Sequence, residues 1–464
     1  MAQTIFDKLW QAHRIADAGD GADLIAIDRV MLHERTGGVA LKSLAEAGQP
    51  VLAPERAFAI MDHIVSFRAG RGRDESRSPG GETFITQTRA MAKAAGIHLI
   101  DTDDARQGIV HVVAPELGLA VPGASIVCPD SHTCSLGALG ALAWGIGSSE
   151  AEHALATGAL RVTKPIQKRV CFNGHLGTGV TAKDAALHLI SLHGSGGGAR
   201  AAIEFAGSAV EAMDIEARLT LCNLAVEFAA FTAVIAPDDK VFAYLQGRPY
   251  APDNELWSRA EASWRALHTD DDAAFDDEIE IDAGDIAPTV SWGTSPEEAV
   301  PVTGHVPSDA RPAALSYMGL SAGAKLDQLP IDGVFIGSCT NGRLSDLRAA
   351  GDVLRGRQVA EGVRAICVPG SQSVLRAAEA EGLDKVFRQA GFEWGSPGCA
   401  MCFYAGGETF PPGARVVSST NRNFEGRQGP GVRTHLASPA TVAASAVAGR
   451  IADARMFAPM DAVS

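Results

Sequence analysis

The 464-residue sequence contains no apolar run of the roughly 18 to 20 residues needed to cross a bilayer. Its longest candidate, Leu136 to Gly147, is broken by glycines and runs into Glu150, so a membrane-spanning protein is not expected. Cysteine is scarce: eight in a chain of this length are too few for a disulfide framework, and clustered ones would point to metal binding or catalysis. Positive charge is also in deficit, 40 Lys and Arg against 55 Asp and Glu. The resulting net charge of −15 repels phosphate backbones and anionic lipid, and without a basic stripe neither nucleic acid nor membrane is an expected partner. The glycine-rich stretch Gly194 to Ala199 has neither a Walker lysine nor dinucleotide spacing and reads as a plain turn. No G-x-S-x-G elbow and no convincing repeat is present. In place of a signal peptide, the first twenty residues mix charges with Phe6, Leu9, Trp10 and Ile15 at helical spacing, which predicts an amphipathic helix and a cytoplasmic address.

What the sequence does have is a composition suited to burying a large core, 46% hydrophobic and 20% charged, over a length that calls for two or three packed subdomains. Short apolar runs end in Gly, Pro or Ser: Val110, Val112 and Val113 in GIVHVV, Ile126 to Cys128 in SIVC, and Val334 to Ile336 in GVFIG. These read as buried strands, and the Ala-rich stretches Ser149 to Leu160 and Leu344 to Leu354 read as helices. The alternation predicts an α/β protein whose functional loops lie at the carboxyl ends of strands. The acidic segment Asp270 to Asp285, with EIEID alternating at period two, predicts an edge strand with a solvated face. Pro307 to Pro330 reads as a linker.

Three constellations carry chemistry. The first is Cys339 in IGSCTNGR with Cys399 and Cys402 in SPGCAMC. Thiolates at i and i+3 on one loop and a third from a strand-to-helix loop can form a soft-donor face. An iron–sulfur cluster leads this reading, with zinc and a redox pair still open, since a structural zinc site normally takes a fourth Cys or His. The second pairs carboxylates with imidazoles: Asp62-His63, Asp130-Ser131-His132, and His111 in GIVHVV. An Asp that accepts a ring N–H fixes the tautomer and raises basicity, as a proton carrier needs. The third is Asn421-Arg422-Asn423-Phe424-Glu425-Gly426-Arg427, whose two guanidinium groups suit bidentate grips on small carboxylates. Together they describe metal-assisted proton and hydroxide transfer on an acid.

The segments CPDSHT, IGSCTNGR, PGCAMC and NRNFEGRQGPGVRTHLASP resemble the motifs of the aconitase superfamily, and the likeness runs almost end to end, from IFDKLWQAH through APDD and WGTSPE to AVAGRI. The spacing is similar to that of the large subunits of its heteromeric members acting on isopropylmalate. The resemblance implies three α/β/α subdomains around a cluster: residues 1–165, 166–286, a linker at 287–330, and 331–464 carrying the cysteines. It implies that Cys339, Cys399 and Cys402 hold a [4Fe–4S] cluster with one iron left for substrate. It pairs Asp62 with His63, Asp130 with His111, and Glu204 with His132, and makes His63 the group that protonates the leaving hydroxyl. Asn421, Arg422 and Arg427 would grip substrate. The family's serine base lies on a swivelling domain with no counterpart after Thr441, so a small subunit is the expected partner. Where the pattern shows Gln, Asn and His, this chain has Val39, Ile64 and Leu136, which keeps citraconate/2-methylmalate, dimethylmalate and homoaconitate-type acids as alternative substrates. A cluster-free regulator is a further alternative, and a ferredoxin-like carrier is disfavoured because it would need four protein ligands.

Overall fold

In the computed structural model, which describes residues 2–404 and 407–457, the apolar runs form parallel sheets, and the chain divides into two compact units. The first unit comprises the N-terminal stretch up to Asp62, Glu82–His175 and Gly198–Asp282; the second comprises His63–Gly81, Leu176–Gly197 and the chain from Ala283 onward. Each is therefore discontinuous, which contiguous subdomain boundaries do not express.

The first unit opens with helix Ile5–His13, started by a Thr4–Asp7 capping box. Its buried residues Ile5, Phe6, Leu9 and Trp10 lie on one stripe, as the spacing predicts, whereas Ile15 leaves the helix and is exposed on strand Arg14–Asp17. A five-stranded parallel sheet follows, in the order His98–Ile100, Ala57–Ile60, Arg29–His33, Ser125–Cys128 and Leu142–Gly145. A four-stranded parallel sheet runs Thr232–Val234, Ala202–Ala206, Gln167–Asn173 and Asp277–Asp282. The acidic segment is thus an edge strand. Its charges are partly taken across the strand pair, where Lys168 meets Asp277 at 2.8 Å and Arg169 meets Glu278 at 2.5 Å.

The second unit is built on a five-stranded parallel sheet in the order Phe392–Trp394, Arg364–Cys367, Gly333–Ile336, Arg415–Ser418 and Arg433–Leu436. Phe335, Ile366, Val416 and Val432 form its core with Phe67 and Phe410. The stretch expected to be a linker, 287–330, is instead structured. It carries the hairpin Thr289–Ser291 with Ala299–Pro301 and the helix Pro312–Met318, and buries Val290, Trp292, Val302 and Met318. Among the described residues no helix is long and apolar enough to cross a membrane.

GIVHVV corrects the sequence reading: Val110–Glu116 is a helix, not a strand. Val110 to Pro115 are all buried, so no polar face reveals a helical period, and a short apolar run alone fits either state. The Asp62 carboxylate accepts the N–H of Val110 at 2.8 Å, satisfying a donor of the helix's first turn.

Candidate functional site

Each five-stranded sheet starts at its centre, runs outward to one edge and then returns to fill the other side. Each therefore has a topological switch point, where loops leaving adjacent strands diverge and ligands bind in open α/β sheets. Several of the residues singled out in the sequence lie on loops at these two places, one in each unit.

In the second unit the switch point lies between the strands Gly333–Ile336 and Arg415–Ser418. The first leads into Ser338 and Cys339, the second into Ser419, Thr420 and Asn421. Cys399 and Cys402 follow the edge strand Phe392–Trp394. Non-glycine residues with left-handed backbone flank both cysteine loops, Ser338 at φ +79° and Ala400 at φ +47°. Such conformations cost free energy and persist where the surroundings enforce them. All three cysteines are buried. Asn421 joins the loops: its Nδ2–H donates to Cys339 Sγ at 3.5 Å, and its Oδ1 lies 3.7 Å from Cys402 Sγ. Arg427 Nη2 donates to Cys402 Sγ at 3.4 Å and to Asn421 Oδ1 at 3.5 Å, and its guanidinium lies 5.4 Å from the Phe403 ring and 5.3 Å from that of Phe424. Its buried Nε has no hydrogen-bond partner among the described residues. Arg422, in the same loop, is half-buried, and the buried His63 packs edge-on to Phe403 at 5.9 Å.

This donor set fits an iron–sulfur cluster. Soft donors on two loops are joined through Asn421, N–H groups reach the sulfur of Cys339 and Cys402, and cationic Arg427 lies beside Cys402 to offset thiolate charge. Among the remaining five cysteines, burial pushes the Cys222 and Cys367 thiols well up, which keeps them protonated.

In the first unit the switch point lies between Arg29–His33 and Ser125–Cys128, and the loops leaving them carry Glu34 and Asp130. Asp130 caps the 3-10 helix Ser131–Leu139, accepting the N–H of His132 at 2.7 Å. The same Oδ1 lies 3.6 Å from Nε2 of fully buried His111 and 3.3 Å from Nδ1 of His132. Ser131 Oγ is 3.4 Å from that Nδ1. Asp62, at the end of the neighbouring strand, is held through its backbone N–H, which donates to Glu34 Oε2 at 2.9 Å.

The structure overturns the expected pairing of His132 with Glu204. His132 Nε2–H donates to Glu227 Oε1 at 2.9 Å, while Glu204 lies on strand Ala202–Ala206 and accepts from Thr269 Oγ1. Burial raises the Glu204 carboxyl, and no imidazole is among the groups acting on it. Glu227 is 95 positions from His132, on the short turn Ala225–Phe228 after helix Ile215–Leu224. Glu227→Gln is expected to lower kcat of the assembled enzyme about 10²-fold, at the low end of what a positioned acid or base contributes, and Glu204→Gln to leave it near wild type. Steady-state kinetics on the two variants decide between the partners.

Cysteine loops joined through Asn421, imidazole–carboxylate contacts and the Arg427 guanidinium lie in these units, and the chain belongs to the aconitase family. The model of that family, aconitate hydratase, matches residues 7–449. The chain is 53% identical over 463 residues to 3-isopropylmalate dehydratase large subunit 1 of Bradyrhizobium diazoefficiens, covering 98% of this chain and 96% of that protein. Among solved structures, holo-form aconitase X of Thermococcus kodakaraensis aligns over 90% of this chain and 89% of its own with a TM-score of 0.45 and 13% identity.

Proposed function

We infer that this chain is the large subunit of a cytoplasmic iron–sulfur hydro-lyase that converts 2-isopropylmalate to 3-isopropylmalate in leucine biosynthesis. We also infer that Cys339, Cys399 and Cys402 hold a [4Fe–4S] cluster with one iron left to substrate. The observation that carries the second reading is the Asn421 amide set against Cys339 and Cys402 at a sheet switch point. The near-full-length identity to a 3-isopropylmalate dehydratase large subunit supports the first. The three parallel sheets are consistent with subdomain cores within 1–165, 166–286 and 331–464.

When bound, the cluster supplies a Lewis acid for departing hydroxide. The chain's own groups do the rest. Arg427, stacked between two aromatic rings, presents its unsatisfied Nε edge to a substrate carboxylate, with Arg422 and Asn421 beside it in sequence. Glu227 holds His132 by one ring nitrogen and so fixes which nitrogen can exchange a proton. Asp130 sets the orientation of His132 from the other side and faces His111. Asp62 and His63 supply a further acid–imidazole pair, with His63 the donor to the leaving hydroxyl. The base that removes the proton alpha to a carboxylate comes from the small subunit.

Of the three departures from the isopropylmalate pattern, Ile64 and Leu136 are packed into the core and Val39 is about half-exposed. The near-full-length identity to a 3-isopropylmalate dehydratase large subunit favours 3-isopropylmalate over the alternative acids. With the small subunit added, kcat/KM is expected to be highest for 3-isopropylmalate and lower for citramalate and dimethylmalate. Citramalate or dimethylmalate as the best substrate would overturn the assignment.

A further inference from the structure

We propose that Lys183 is a positioning residue of the metal centre, whose ammonium group clamps the Ser419–Thr420 turn and thereby sets the Asn421 amide between the sulfurs of Cys339 and Cys402. The inference rests on the reading that these cysteines hold a cluster.

Lys183 is the second residue of helix Ala182–His193 and is fully buried. Its Nζ donates to the carbonyl oxygen of Ser419 at 2.9 Å and to that of Thr420. These two residues directly follow the strand Arg415–Ser418 and directly precede Asn421, so a change in their backbone swings the side chain that joins the two cysteine loops. The other end of the clamp is rigid. Asp184 Oδ2 accepts from the Thr181 hydroxyl at 2.7 Å and the Thr181 N–H at 2.8 Å, and Asp184 Oδ1 accepts the N–H of Thr289 at 2.8 Å.

Charge gives a second reason. An ammonium without water is costly unless anions surround it, and the negative groups acting on Lys183 are Asp346, Cys402, Asp184 and Cys339. Burial still pulls its pKa down to about 8, against the upward push of those groups. A purely structural filler at this position could be apolar. A cation is favoured where thiolates need balancing, and hydrogen bonds and charge around cluster sulfurs set both metal retention and reduction potential.

The test uses the full chain after anaerobic reconstitution, comparing wild type with Lys183→Met, Lys183→Arg, Asn421→Ala and the double variant Lys183→Met/Asn421→Ala. The readouts are the rate of iron loss in air and the reduction potential from an EPR-monitored titration. Lys183→Met is expected to load iron but lose it about tenfold faster, as loss of an outer-shell partner typically does, with the potential moved to more negative values. Lys183→Arg should recover part of the difference. Because Lys183 acts through Asn421, the double variant should lose iron no faster than the faster single variant. Wild-type retention and potential in Lys183→Met, or effects that multiply in the double variant, would overturn the proposal. Failure of wild type itself to take up iron would remove the cluster reading and this inference with it, an outcome distinct from a loaded wild type with an indifferent Lys183→Met. Should Lys183→Met not fold by circular dichroism, Lys183→Gln carries the same expectation. If neither folds, Lys183 serves folding alone and the proposal is wrong.

Discussion

Cys339→Ser, Cys399→Ser and Cys402→Ser are each expected to leave the protein without iron or sulfide after anaerobic reconstitution, and without dehydratase activity, while Cys171→Ser loads as wild type does. A site with three protein ligands has no spare donor, and a serine hydroxyl is a harder, less acidic ligand than a thiol. The cysteine loops are also shaped for this one arrangement, with Ser338 and Ala400 held at positive φ beside Cys339 and Cys399. Cys171 lies on strand Gln167–Asn173 in the other unit, and burial raises its thiol, so it has no part in the constellation. Iron and sulfide analysis on the four variants is the measurement. Equal iron in Cys339→Ser and wild type would sink the ligand assignment.

The isolated chain, even with iron and sulfide in place, is expected to show no dehydratase turnover until the small subunit is added. A missing general base typically removes 10²- to 10⁴-fold of rate, and the partner is expected to contribute substrate contacts as well, which moves the isolated chain further down. A relative that covers this chain almost completely is itself named a large subunit, which supports an enzyme divided between two polypeptides. The check is a titration of reconstituted chain with small subunit, followed by absorbance of the unsaturated product. Turnover should rise from background and saturate at a fixed ratio. Full turnover by the large chain alone would place the base on this chain and refute the division of labour.

Much of this site was legible because its chemistry is written in contiguous motifs. IGSCTNGR and SPGCAMC contain the cysteines together with the turn residues that aim them, and NRNFEGR contains both Asn421 and Arg427, which the structure sets against sulfur. Asp130 and His132 could be grouped on sequence because they stand two positions apart in one motif. The fold class was legible for a related reason: β-branched runs that stop at Gly, Pro or Ser give strands such as Ser125–Cys128 and Gly333–Ile336, whose ends are functional loops. The same rule misread GIVHVV, because a fully buried helix shows no polar face and its period is invisible.

The sequence by itself determined which atoms could do the chemistry: three thiols, the carboxylate–imidazole motifs, and guanidinium groups around a glycine turn. Only the tertiary structure decided which partners those atoms meet. His132 and Glu227 are 95 residues apart, and Lys183 and Ser419 are 236 apart. No local periodicity links such pairs, because their distance is set by how parallel strands stack and where the sheets reverse direction. A carboxylate on the wrong strand, Glu204, resembles the right one in sequence. The difference lies in packing, which gives Glu204 a threonine hydroxyl and Glu227 an imidazole.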